Sequence, residues 1–94
     1  MKKVIATENA PKAVGPYSQA IEVNGTLYIS GQIPVNPADG QVQTEITAAA
    51  HQSLKNIGAI LAEAGMTYDN VVKTTVLLAD IADFKAVNEV YAEY

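Results

Sequence analysis

No cysteine occurs among the 94 residues, so neither disulfides nor thiolate metal sites are available, which fits a reducing, cytoplasmic setting. Only one histidine, His51, stands beyond the carboxylates, and that argues against a zinc site of the usual kind. Arginine is missing too. All six basic residues are lysines, at positions 2, 3, 12, 55, 73 and 85, against ten acids, for a net charge of −4. Scattered lysines on an acidic chain do not make the clustered basic surface that nucleic-acid binding needs. No apolar run is long enough to span a bilayer, and the opening "MKKVIATENAPK" is too short and polar for a secretory leader.

What remains has the size of one small domain, residues 1–94. A chain this short buries only about 60–65% of its unfolded surface, so covering its apolar faces matters to its stability. "KVIA" (3–6) is a short strand candidate, followed by the loop formers of "TENAPKAVGP" (7–16). "SQAIEV" and "TLYIS" flank Asn24-Gly25, a type I′ hairpin signal. A two-residue turn sets Val23 opposite Thr26, Glu22 opposite Leu27, Ile21 opposite Tyr28 and Ala20 opposite Ile29. One face then carries Ile21, Val23 and Tyr28, the other Ala20, Leu27 and Ile29. Both are apolar, so both need cover, from helices on one side and another subunit on the other.

"PVNPADGQ" (34–41) reads as a surface loop with Asn-Pro and Asp-Gly turn chemistry. A helix is expected over 45–64, with Ala50, Leu54, Ile57, Leu61 and Ala64 as its apolar stripe, Thr44 as N-cap and Gly65 as the left-handed residue after its end. "VVKTTVLLA" (71–79) is β-branched and expected as a strand, reached from the hairpin by a right-handed crossover. Asp80 then opens a second helix with Ile81, Phe84, Val87, Tyr91 and Tyr94 on one side. The pattern stops on Tyr94 without a terminating residue, and with a sheet short of strands this predicts that the natural protein continues. The order of elements predicts an α/β (α+β) domain: a small mixed sheet with two helices on one face.

Four residues stand out as candidates for chemistry. Gly31, after Ser30 at the end of the best strand, lets a ligand approach the backbone and offers an N–H to an anion; local sequence favours the simpler account, a glycine bulge that turns the chain toward Pro34. Tyr17 in "GPYSQ" can line a cleft or cover the edge of the core. Asn88 falls on the row of Phe84, near Tyr91, where its amide needs a partner in a loop or a pocket. His51 lies off the apolar stripe, in solvent by default. No Ser/His/Asp arrangement, phosphate loop or metal-ligand cluster is present.

"APKAVGPYSQAIEVNGTLYISGQIPVNP" together with "AAHQSLKNIGAILAEAGMTYDNVVKTTVLLADIADFKAVNEVYAEY" closely resembles the RidA (YjgF) family of reactive-intermediate deaminases, over nearly the whole chain. The resemblance implies a chorismate-mutase-like fold assembled as a homotrimer, with clefts between subunits. It implies hydrolysis of 2-imino acids such as 2-iminobutanoate and 2-iminopropanoate to 2-keto acids and ammonia, with no metal or organic cofactor. Tyr17, Ser30, Gly31 and Asn88 match family cleft positions, the Gly31 backbone helping to hold the substrate carboxylate. The family's carboxylate-clamping arginine and water-positioning glutamate lie in strands after the second helix. No arginine occurs here, and a lysine is a poor geometric substitute, so the chain is expected to be C-terminally incomplete and weakly active or inactive. Two readings compete with the deaminase: a non-catalytic trimeric binding or holdase-like module, and a ribonuclease or translation inhibitor, which the acidic balance disfavours.

Overall fold

The computed structural model describes residues 2–94. Strands β1 (Lys2–Ile5), β2 (Ala20–Val23) and β3 (Thr26–Ile29) form one antiparallel sheet in the order β1-β2-β3. Asn24 and Gly25 both take positive φ, 51° and 81°, as a type I′ turn requires. The β2–β3 register is the expected one, from Val23 opposite Thr26 to Ala20 opposite Ile29. The turn's handedness fixes the faces, and the faces fix the core. Ile5, Ala10, Ala20 and Ile60 are buried together, with Leu27, Ile29, Ala59 and Ala64 packed around them. The opposite face is open: Val4 is 58% and Tyr28 64% exposed.

Helix α1 runs Ile46–Glu63, close to its expected span. Its N-cap is Glu45, not Thr44. Glu45 is extended, and its longer side chain reaches forward to accept from the Ala48 N–H at 2.8 Å. Hydrogen bonds from the Ala48 and Thr47 amides hold its carboxyl below the usual range. The C-terminal end closes as the glycine implies. Gly65 sits at φ 76°, its N–H bonds to Ala62 O, and Met66 N–H bonds to Leu61 O, the paired bonds of a Schellman motif.

The expected stripe on α1 exists, but most of it is not buried. Leu61 is, whereas Ala50, Leu54 and Ile57 are half-exposed. The residues packed against the core of the sheet are Ile60 and Ala59, one step around the helix, together with Ala64 of the stripe. Segment 71–79 is a second departure: it pairs with none of the described residues and forms no strand. A strand is a relation between neighbours, and no edge lies within pairing reach of this one.

A one-turn 3₁₀ helix, Ile81–Asp83, leads into α2, Phe84–Tyr91. Asp80 caps this entry, accepting from Ala82 N–H at 2.9 Å. α2 packs along α1 with Val90 buried, while Ile81 and Phe84, expected on the covered side, are 81% and 58% exposed. The contact with α1 falls on the last turns, so the first apolar residues of the stripe have nothing beneath them.

A second 3₁₀ turn, Tyr68–Asn70, folds back on α1, where the Tyr68 hydroxyl donates to Leu54 O at 2.5 Å. Burial pushes the Tyr68 phenol up, and neighbouring Tyr94 adds to the shift. Its ring lies over Gly58: a Cβ there would fall 2.8 Å from the ring's Cζ. Alanine normally improves a helix interior over glycine by about 1 kcal/mol, yet here overpacking costs about 1–3 kcal/mol. Gly58→Ala is therefore expected to lower the urea midpoint. A raised midpoint would mean that the Tyr68 ring swings clear at little cost.

Candidate active-site cleft

The cleft is built on Gln19, just before β2, whose side chain is 4% exposed. Its Nε2 donates to the carbonyls of Thr7 (3.0 Å), Ala10 (3.3 Å) and Pro11 (2.7 Å), and its Oε1 accepts from Thr7 N–H at 2.7 Å. One amide thus pins the 7–11 loop to the sheet. Its own backbone carbonyl accepts from both Ser30 N–H and Ser30 Oγ, each at 3.0 Å. Gln19 therefore ties together the loop that leads to Tyr17 and the strand end that carries Gly31.

Asn56 does the same for the far wall. It is 1% exposed, and its Nδ2 donates to Ile33 O (3.2 Å) and Val35 O (3.0 Å), while Oδ1 accepts from Gln52 at 2.9 Å. The 34–43 loop folds on itself beyond, through a Val35–Val42 bridge and turns at Asn36 and Asp39. Between the two pinned loops lies a cleft of about 300 Å³ with Tyr17, Gly31, Lys12, Gln32 and Asn36 on its walls. Lys12 is the one cation among them.

The direction of the Gly31 amide follows from the hairpin. In a two-residue turn the closing pair exchanges both hydrogen bonds, and alternate residues then bond inward. Thr26 and Tyr28 point their N–H groups at β2, and Ser30 continues the row by donating to Gln19 O. Leu27, Ile29 and Gly31 must point theirs away. The Gly31 N–H donates to none of the described residues, and a Cβ built there meets nothing within 4 Å. It is an open donor on the edge of β3 that faces away from β2, and Gly31 lines both this cleft and the larger hollow beside residues 71–78.

The structure brings Tyr17 and Gly31 to one cleft, with Tyr17 half in solvent and its hydroxyl 3.5 Å from Val14 N. Ser30 sits behind them, its hydroxyl engaged with Gln19. Asn88 is placed elsewhere: exposed on α2, with its side chain tied to neither loop nor cleft. His51 is half-buried and not free in solvent, its Nδ1 2.7 Å from the Tyr94 hydroxyl and its Nε2 3.8 Å from Glu93. Sequence reasoning passed over Gln19, Asn56 and Lys12. An asparagine amid good helix formers was a signal for Asn56; no spacing marked the others. Among the described residues no three His, Cys, Asp or Glu side chains converge as metal ligands, and no helix is long and apolar enough to cross a membrane.

Residues 7–94 match the family model described as endoribonuclease L-PSP. A 2-iminobutanoate/2-iminopropanoate deaminase of Homo sapiens is 56% identical over 95 residues, covering all of this chain and 69% of the relative. The RutC family protein PH0854 of Pyrococcus horikoshii is 54% identical, over all of this chain and 75% of its own length. Among solved structures, the Rid-family protein YyfA of Yersinia pestis superposes with a TM-score of 0.98 at 52% identity, covering all of this chain and 75% of that one. TdcF of E. coli, crystallised with bound serine, gives 0.94 at 40% identity, over 97% of this chain and 72% of that one.

Proposed function

This chain belongs to the RidA (YjgF) family, and from that membership we propose that it forms part of an enzyme hydrolysing 2-imino acids to 2-keto acids and ammonia. The observation that carries the reading is an unbonded Gly31 N–H on a residue that lines, with Tyr17, a cleft walled by two pinned loops. An imino acid has a carboxylate next to its C=N carbon. The Gly31 amide receives one carboxylate oxygen, with Lys12 adding positive charge nearby. Water adds to the C=N carbon, and a proton passes to nitrogen. The resulting carbinolamine expels ammonia as its hydroxyl becomes the keto oxygen. Such an electrophile needs orientation more than activation.

The cleft is only part of the machine. Holding a carboxylate in one plane favours a bidentate fork, and the chain has no arginine to supply it. The expected clamp and the water-positioning glutamate would come from residues past Tyr94. The open sheet face with Val4 and Tyr28 is proposed as the surface on which copies assemble into a trimer. The serine held by TdcF, itself a small amino acid, supports a ligand of this size and charge pattern.

The test couples an amino-acid dehydratase to keto-acid detection. The 94-residue chain is expected to add little to the uncatalysed rate, while a chain extended by the C-terminal part of the Homo sapiens relative gains about a hundredfold or more, the scale of a lost transition-state donor. Full activity from the 94-residue chain would remove the clamp from the account. The description of the family model raises a nuclease reading, but all six lysines are exposed and dispersed over β1, loops and both helices. RNA binding that weakened steeply with salt would reverse that judgement.

A further inference from the structure

An asparagine side chain is open to attack by the nitrogen of the residue after it, and glycine, with no Cβ, hinders that approach least. Of the six asparagines in the chain, only Asn24 precedes a glycine. Asn36 precedes a proline, whose nitrogen has no proton to lose, and Asn9, Asn56, Asn70 and Asn88 precede residues that carry side chains. The fold leaves the reacting pair uncovered. Asn24 and Gly25 are both exposed at the tip of the β2–β3 hairpin, the Gly25 N–H donates to none of the described backbone carbonyls, and a Cβ built on Gly25 meets nothing within 4 Å. Asp39-Gly40, the other acidic or amide side chain placed before a glycine, is held differently. Gly40 N–H donates to Asn36 O at 2.8 Å and Asp39 Oδ1 accepts from Gln41 N–H at 2.9 Å, so both reacting groups are engaged. A carboxylate is also the poorer electrophile.

We propose that Asn24 is a site of spontaneous covalent modification, in which the Gly25 nitrogen closes on Asn24 Cγ. The Gly25 amide gives up its proton to hydroxide, the N–Cγ bond forms, the Cγ–Nδ2 bond breaks, and ammonia leaves with a proton taken from water. Water then opens the cyclic imide. Cleavage of the new N–Cγ bond leaves an aspartate; cleavage at the backbone carbonyl leaves an isoaspartate, whose main chain runs through Cβ and Cγ. One ammonia has left and one water has entered. The native turn holds Asn24 at φ 51°, and ring closure requires the following peptide to rotate, so the reaction passes through a brief opening of the exposed tip.

The two products part company at the turn. Aspartate-glycine suits a type I′ turn as asparagine-glycine does. Isoaspartate adds a backbone atom to a two-residue loop that has no slack, so the Val23–Thr26 pair no longer closes and the register out to Ala20–Ile29 loses what fixed it. The Ser30 bonds to Gln19 O come next along that ladder. A change at the tip is thereby carried to the strand end that bears Gly31. Nothing in this depends on the deaminase reading.

The experiment keeps the 94-residue chain in warm, mildly alkaline buffer and samples it over days. Cleavage after lysine releases residues 13–55 as one peptide that holds Asn24, Asn36 and Asp39 together, and fragmentation in the mass spectrometer locates each conversion. Conversion at Asn24 is expected to outrun every other asparagine, and isomerisation at Asp39, by about tenfold or more. It should rise about tenfold per pH unit, because the Gly25 proton is lost before attack. The isoaspartate form, separated by chromatography, should exchange the Thr26, Tyr28 and Ser30 amides at least tenfold faster than the fresh chain, whereas directly prepared Asn24→Asp should not. Conversion at Asn24 no faster than elsewhere, or faster at Asp39, would overturn the proposal. Unchanged exchange in the isoaspartate form would overturn its link to the strand end.

Discussion

Replacing Gln19 by alanine is expected to lower the thermal midpoint by more than about 10 °C and to loosen the wall of the cleft formed by the 7–11 loop. The side chain makes four hydrogen bonds, three to loop carbonyls and one from an amide, while 4% exposed. At a net 0.5–1.5 kcal/mol each, their loss amounts to about 3 kcal/mol. A domain this size loses roughly 4–8 °C per kcal/mol. Gln19→Glu distinguishes hydrogen bonding from volume. It fills the same space but, at neutral pH, points acceptor oxygens at the carbonyls of Thr7, Ala10 and Pro11. It should be at least as damaging as alanine, and should recover partly as acid protonates the new carboxyl and restores a donor. Equal stability of Gln19→Glu and wild type at pH 7 would show that packing alone holds the loop. Calorimetry across pH separates the two.

Asn56 should show the second large effect, with a different ranking of variants. Its amide donates to Ile33 O and Val35 O, so Asn56→Asp buries a charge against two carbonyls, with Gln52 as its one donor. An uncompensated buried charge costs about 3–5 kcal/mol. Asn56→Leu instead leaves the Val35 carbonyl unpaired, at about 1–3 kcal/mol where water cannot reach it, while Ile33 O keeps the Val35 N–H, and it gains apolar burial beside Ile60. The expected order of urea midpoints is wild type, then Leu, then Asp. Asp at or above Leu would mean that water enters behind the 33–35 loop.

These two side chains also mark where the sequence stopped being informative. The hairpin was legible to the residue because Asn24-Gly25 admits one turn geometry, and that geometry sets every cross-strand pair. The end of α1 was legible for the same kind of reason, in Gly65. Segment 71–79 has the composition of a strand, yet pairing depends on what stands next to it, which no local pattern records. The cap at Glu45 in place of Thr44 turned on how far one side chain reaches. At the cleft, Ser30-Gly31 and Tyr17 were visible as chain punctuation. Gln19 was not, because a glutamine that collects carbonyls from residues 7–11 looks in sequence like any solvated polar residue. Asn88 was read from helix periodicity that assumed a covered stripe, and on α2 the cover is absent over the first turns.

Val72 and Leu77 stand 97% and 90% exposed on a stretch whose peptide groups are unclaimed. Such a stretch has no proline and a single charge, Lys73, to keep like from sticking to like. With a net charge of only −4 there is little long-range repulsion to help. For the 94 residues on their own, the expected ceiling in concentrated solution is thus colloidal: clumping through that ribbon, ahead of any melting of the helices, should set how much can be kept dissolved, and light scattering against concentration checks it.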